Sequence, residues 1–163
     1  MKIKRITEME VELNQLQAGD KLQIAEAEWK VLEVKDGKAL IWKCTKIKDH
    51  VFNENNGNVY EGSDLQKYVQ GDFKETIPMD ILEKVTDEGF FLLTVDQIRK
   101  YMPNEIDRIA TDEDDQTTWY WTASPHIGNG YNVRNIIPSG NVIYYGADSS
   151  FGVAPACWIN LKS

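Results

Sequence analysis

Between Thr122 and Cys157 the chain contains no Lys, Glu, Gln, Met or Trp, although these five types make up 43 of its 163 residues. A chance gap of that length has a probability of order 10⁻⁵ to 10⁻⁴ against ordinary compositional scatter. A tightly turned β region accounts for a shortage of Lys and Glu, because Gly, Ser, Asn and Tyr are its usual residues. It accounts less well for the missing Gln and Met. Other scarcities bound the chemistry. Two cysteines, Cys44 and Cys157, make neither a disulfide framework nor a zinc spacing, and "PACWI" gives Cys157 an apolar setting. Basic residues are too few for a nucleic-acid footprint: the net charge is −8, and the Lys-rich "KCTKIKD" alternates like a strand with one wet face. No apolar run is long enough to span a bilayer, and the N-terminus carries Glu where a signal peptide has its apolar core. These absences lead to the expectation of a soluble chain, cytoplasmic or phage-associated.

What is present reads as one α+β domain over 1–163. Residues 1–17 read as an opening strand or short helix. "EWKVLEVKDGKALIWKC" is a hairpin turning at Asp36-Gly37, a dipeptide suited to positive φ. "NENNGNVYEG" is a polar loop. Ser63 with Gln66, and Thr94 with Gln97, have capping-box spacing ahead of helical apolar faces, and Pro78 opens a shorter helical turn. "GFFLL" reads as a buried strand. From Thr117 onward the runs "TTWYWTASP", "GYNVRNII", "NVIYYGA" and "VAPACWINL" are strand-like, separated by Gly- and Pro-marked turns. Two helices are expected on one side of a small, twisted, mainly antiparallel sheet. Trp119 and Trp121 are expected to share a core-facing side with Tyr120 opposite; sugar stacking is the alternative for the two Trp.

Catalytic and metal motifs are missing. His50 and His126 stand without partners in sequence, and no nucleophile elbow, zinc-binding His pair or phosphate loop is found. The acidic "TDEDDQ" lacks full calcium-loop spacing and reads as a solvated loop. No catalysis, cofactor or metal is expected.

The motifs "EWKVLEVKDGKALI", "SDLQKYVQGDF", "FFLLTVDQIRKY", "WYWTASP" and "GVAPACWINL" occur in one order. Together they resemble a bacterial and phage domain family of C-type-lectin-like fold, whose members read near W-R-V-L-D-V, S-x-L-R-x-W-L-N-x-D-F, F-L-L-S-x-D-E, W-W-L-R-S-P and G-V-R-P-A-L-W-L. The resemblance runs from about Gly19 onward. This chain departs from it at Thr122-Ala123 and at Ala154, where the family has Leu-Arg and Arg, so any role of that last Arg is not carried over.

Some members of this fold are the variable proteins of diversity-generating retroelements, in which a reverse transcriptase copies a template with errors at adenines. Template codons AAC and AAT then yield fifteen residue types, and the five excluded are Lys, Glu, Gln, Met and Trp. The resemblance implies a variable region at about 126–151. Ile137, Ile143, Tyr144, Tyr145, Gly146, Asp148, Ser149 and Phe151 are the implied diversified positions, and Asn129, Tyr131 and Asn132 complete the expected ligand-binding set. Val142, Ala147, Ser150 and "GVAPACWI" are the implied frame. On this reading Tyr131, Ile143, Tyr144, Tyr145, Asp148, Ser149 and Phe151 lie exposed on one contiguous face. Trp119, Trp121, Val142, Val153 and Trp158 lie mainly buried. The partner implied is an unknown protein or glycan, with no nucleic acid and no membrane. The alternatives are a fixed-specificity relative binding a glycan or neighbouring domain, and an enzyme related to the sulfatase-modifying oxygenases, for which Cys44 and Cys157 show no pattern.

Overall fold

The computed structural model describes residues 2–5 and 10–162. Of the expected opening element over 1–17, positions 1 and 6–9 lie outside the described residues, as does 163. The elements in chain order are β1 (Lys2–Arg5), β2 (Glu10–Glu12), β3 (Lys21–Ile24), β4 (Ala27–Lys35), β5 (Lys38–Lys43), β6 (Lys48–Val51), α1 (Asp64–Gln70), α2 (Met79–Leu82), β7 (Phe91–Leu92), α3 (Val95–Tyr101), β8 (Ala110–Thr111), β9 (Thr117–Thr118), β10 (Tyr120–Pro125), β11 (Asn132–Ile136), β12 (Val142–Gly146), β13 (Ser150–Val153) and β14 (Pro155–Asn160). They make an α+β structure. A seven-stranded sheet runs β2-β1-β3-β4-β5-β14-β7, a five-stranded sheet runs β12-β11-β10-β13-β6, and β8-β9 is a separate hairpin. Every named pairing is antiparallel except β10 with β13.

Local chemistry sets the elements. Asp36 and Gly37 both take positive φ, 53° and 74°, as a two-residue hairpin turn matched to strand twist requires. Thr94 and Gln97 form the full reciprocal box: the Gln97 N–H donates to Thr94 Oγ1 at 3.1 Å, and the Thr94 N–H donates to Gln97 Oε1 at 2.9 Å. At α1 the Gln66 N–H donates to Ser63 Oγ at 3.0 Å, but Gln66 Oε1 takes its proton from the Gly62 N–H, one residue earlier.

The two longer helices do not share a side. Leu65 and Val69 of α1 pack with Trp29, Val31, Ile41, Cys157 and Ile159, whereas Ile98 of α3 and Met102 just beyond it pack with Leu40, Trp42 and Ala156. Successive strand residues point to opposite faces, so α1 and α3 cover opposite faces of the β4-β5-β14 sheet. This corrects the one-sided arrangement, and the sheets are larger than expected. Its cause is legible in β5, where Ala39, Leu40, Ile41 and Trp42 are buried in succession, the pattern of a strand covered on both faces. The five-stranded sheet joins both cores through the same alternation, Trp121 and Val133 entering one and Tyr120 and Ile136 the other. Trp29 and Ile159 both lie buried in the larger sheet.

Candidate binding surface

Strand β12 lies at the edge of the five-stranded sheet and pairs only with β11, placing Ile136 opposite Val142, Arg134 opposite Tyr144 and Asn132 opposite Gly146. Two bonds beyond the strand ends fix the parity of the ladder. The Ile137 N–H donates to the Asn141 carbonyl at 3.0 Å, and the Ala147 N–H donates to the Tyr131 carbonyl at 2.8 Å. Hydrogen-bonded pairs alternate along an antiparallel ladder. Asn135–Ile143 and Val133–Tyr145 are therefore bonded pairs, and Val142, Tyr144 and Gly146 turn their backbone groups away from β11.

Side chains alternate on this edge. Tyr145 meets Trp119 and Phe151 edge-on at 6.3 and 5.4 Å between ring centroids. Phe151 lies flat on Trp119 at 5.1 Å and edge-on to Trp121 at 4.9 Å. On the other face Tyr144 stacks on His126 at 3.9 Å, with the Arg134 guanidinium 5.9 Å from its ring.

The expectation of one contiguous face is thereby corrected. Tyr144 and Tyr145 are adjacent in a strand and must diverge; both reach solvent because the strand is an edge. Tyr131, Tyr144 and Tyr145 are 52%, 48% and 50% exposed, and Asp148 is exposed. Phe151 is half-buried, held between two Trp rings, and Ile143 and Ser149 are half-buried too, as are Ile137, Gly146, Asn129 and Asn132. Trp121 and Val153 are buried as expected. Trp119, Val142 and Trp158 are only half-buried: Trp119 has Phe151 and Tyr145 for neighbours rather than the core centre, Val142 begins an edge strand, and the outer face of Trp158 is met by Lys35 at 5.7 Å.

The loops around the edge are tied by residues that sequence reading left unassigned. The Asn58 side-chain amide donates to the carbonyls of Asn129 at 2.9 Å, Asn132 at 3.0 Å and His126 at 3.4 Å, and the Asn58 N–H donates to the Gly130 carbonyl. The Asn53 N–H donates to the Ala147 carbonyl, and the Asp148 N–H to Asn56 Oδ1. The loop "NENNGNVYEG" is thus the clamp of segment 126–149, and its Asn-rich composition was the available signal. Asn129 serves the frame as well: its Oδ1 accepts from the Tyr131 and Asn132 N–H groups at 3.0 and 2.8 Å.

At the other end of the hairpin, buried Arg108 donates to the carbonyls of Met102, Pro103 and Gly140. The glycines divide in a related way. A Cβ at Gly152 would lie 2.6 Å from both Ile47 Cδ1 and the Trp119 carbonyl, and one at Gly140 would lie 2.2 Å from the Glu105 carbonyl. At Gly146 the nearest atom is the movable Asp148 Oδ1, at 3.0 Å. The two glycines outside the implied diversified set are sterically required by backbone or core atoms; the one inside it would displace only a side-chain carboxylate.

Burial pushes the Cys44 thiol up to about 12 and the Cys157 thiol up further, so neither is a thiolate at neutral pH. The acidic loop is committed internally. Asp112 Oδ1 accepts from the Asp114 and Gln116 N–H groups, Asp115 pairs with Lys46 at 3.1 Å, and Glu113 lies 3.6 Å from Lys48. Addition of EDTA is expected to leave the melting temperature unchanged. A drop of several degrees would reveal a native-state cation, because a ligand that binds only the folded state stabilises it by mass action. Among the described residues no helix is long and apolar enough to cross a membrane.

Residues 86–161, somewhat under half of the chain, match the model of a family described as Domain of unknown function (DUF6273). The matched span contains the whole of β7 through β14, and hence the edge hairpin. Searches of curated proteins and of solved structures gave no match.

Proposed function

We infer that the chain is a non-enzymatic binding module: a C-type-lectin-like scaffold on which residues at about 126–151 present a surface diversified by a retroelement reverse transcriptase, for recognition of a protein or other macromolecular ligand. One observation carries this reading. The segment devoid of Lys, Glu, Gln, Met and Trp supplies an edge strand and loops whose exposed residues include Tyr131, Tyr144, Tyr145 and Asp148. Side chains at such positions can change without emptying a core, and Tyr gives contact area at low entropy cost.

The reading is tested first by genome context: a neighbouring reverse-transcriptase gene and a near-copy of the 3′ end rich in AAC codons. Sister sequences varying no more at the implied positions than elsewhere would sink it. It is tested second by a variant with Tyr131, Tyr144, Tyr145 and Asp148 all changed to Asn, which is expected to melt within about 4 °C of the parent and to lose ligand binding. Phe151→Asn alone is expected to cost ~1–3 kcal/mol, because that ring is enclosed by Trp119 and Trp121. Unfolding of the quadruple variant would mean that the four side chains hold the core.

Fixed-specificity glycan binding is the second reading. It draws support from half-buried Trp119 beside half-exposed Tyr145, an aromatic pair at the rim of the five-stranded sheet and lying partly outside the diversified segment. A glycan array on the parent and on Trp119→Ala separates the two.

A further inference from the structure

Sheet edges invite pairing unless they are short, charged or covered. Of the edges of the two larger sheets, β2 is Glu-Val-Glu, β7 has two residues, and β6 carries Lys48 and Asp49. Strand β12, "VIYYG", has five residues and neither charge nor proline. Among the described residues, the N–H groups of Val142, Tyr144 and Gly146 and the carbonyls of Val142 and Tyr144 have no hydrogen-bond partner; the Gly146 carbonyl accepts from the Ser149 N–H.

Resting on the binding-module reading, we propose that β12 takes its ligand by strand addition: an extended segment of a partner protein lies antiparallel or parallel along the outer edge, with basic residues at its ends. Main-chain bonds to Val142, Tyr144 and Gly146 supply affinity that does not depend on side-chain identity, and the side chains above and below supply specificity. A diversified surface gains from that division, since the peptide bonds persist whatever residue is installed. The charge preference follows from the flanks. With its amide nitrogen turned to the carboxylate, Asn141 donates to exposed Glu105 at 2.9 and 3.1 Å at one end of β12, and exposed Asp148 follows Gly146 at the other. Arg134 is the single Lys or Arg between Thr117 and Leu161. A second copy is the wrong occupant. Antiparallel self-pairing would set the Glu105 end of one strand against the Asp148 end of its twin, between two chains of net charge −8.

The test uses the intact chain, panned with a phage-displayed library of random dodecapeptides, and the most enriched peptide made synthetically. Tyr144→Val removes the ring and keeps the outward N–H; Tyr144→Pro removes both, leaving the ladder to β11 untouched. The peptide is expected to be rich in Lys or Arg and to bind Tyr144→Pro at least tenfold more weakly than Tyr144→Val. In the parent chain, peptide is expected to slow amide exchange at least tenfold at Val142, Tyr144 and Gly146, while Ile143 and Tyr145, already bonded to β11, change little. That exchange result decides the matter even if Tyr144→Pro folds poorly. Strand addition is overturned if no peptide enriches, if the outward amides gain no protection, or if the chain instead dimerises through this edge. Ligands bound through Tyr131 and Tyr145 without such protection would overturn strand addition and leave the binding-module reading standing. Unfolding of the quadruple Asn variant would instead overturn the diversified-surface reading, and the proposal that rests on it, whatever the exchange result.

Discussion

Trp121→Ala is expected to cost ~3–5 kcal/mol, a large part of the ~5–15 kcal/mol that holds a domain of this size folded. The indole is 1% exposed and meets Phe52 edge-on at 5.5 Å and Phe151 at 4.9 Å. Its Nε1–H donates to the His50 carbonyl at 2.9 Å, bridging β10 to β6 across the intervening β13. Truncation therefore opens a cavity, strips two aromatic contacts and leaves a carbonyl without its donor. Urea unfolding followed by far-ultraviolet circular dichroism measures the loss. Trp158→Ala serves as the contrast: its ring is half-buried, so its midpoint is expected to fall less. Equal losses at the two sites would mean that burial of the five-stranded sheet contributes less than its geometry implies.

Gly140→Ala is expected to cost about 3 kcal/mol or more. Its φ is +91°, where L side chains are strained, and the new Cβ would sit 2.2 Å from the Glu105 carbonyl oxygen and 2.7 Å from its carbon. These are backbone atoms on a segment fixed by buried Arg108, which also bonds the Gly140 carbonyl at 3.1 Å, so neither side yields easily. Gly146→Ala, with only the Asp148 carboxylate to displace, is expected to change stability by less than ~1 kcal/mol. The difference in melting temperature between the two variants is the measurement. Indifference at Gly140 would show that the hairpin turn moves freely against Glu105, and the division into fixed and changeable glycines would fall.

Sequence made local structure legible where one residue type meets one backbone demand. Asp36-Gly37 could supply positive φ twice, and Thr94 and Gln97 had the spacing for reciprocal capping; both took the expected conformation. Strand β12 could be read from "NVIYYGA", but its position at an edge could not, because strand order is set by long-range pairing. That one unknown decided whether Tyr144 and Tyr145 could both reach solvent; that they diverge follows from adjacency in a strand. The opposite placement of α1 and α3 was half-visible in the unbroken apolar run of β5, which alternation-based reading passed over. Trp119 misled because a large aromatic is a core residue by default; here it caps the core and faces Tyr145. The three-carbonyl role of Asn58 left no trace beyond an Asn in a polar loop, since its acceptors lie about seventy positions downstream.

The placement of β14 has a consequence for protein synthesis. The strand is the most C-terminal of those described, yet it sits between β5 and β7 and closes the larger sheet, Ala156 opposite Trp42 and Ile159 opposite Ala39. Until the ribosome has released it, β5 has no partner on that side and Leu40, Ile41 and Trp42 lack part of their cover. A frameshift or stop codon anywhere in the segment before Pro155 removes the strand and, with it, the fold. Completion of the larger sheet is thus a check on reading frame: only a chain read in frame as far as Asn160 supplies the strand that pairs with both β5 and β7.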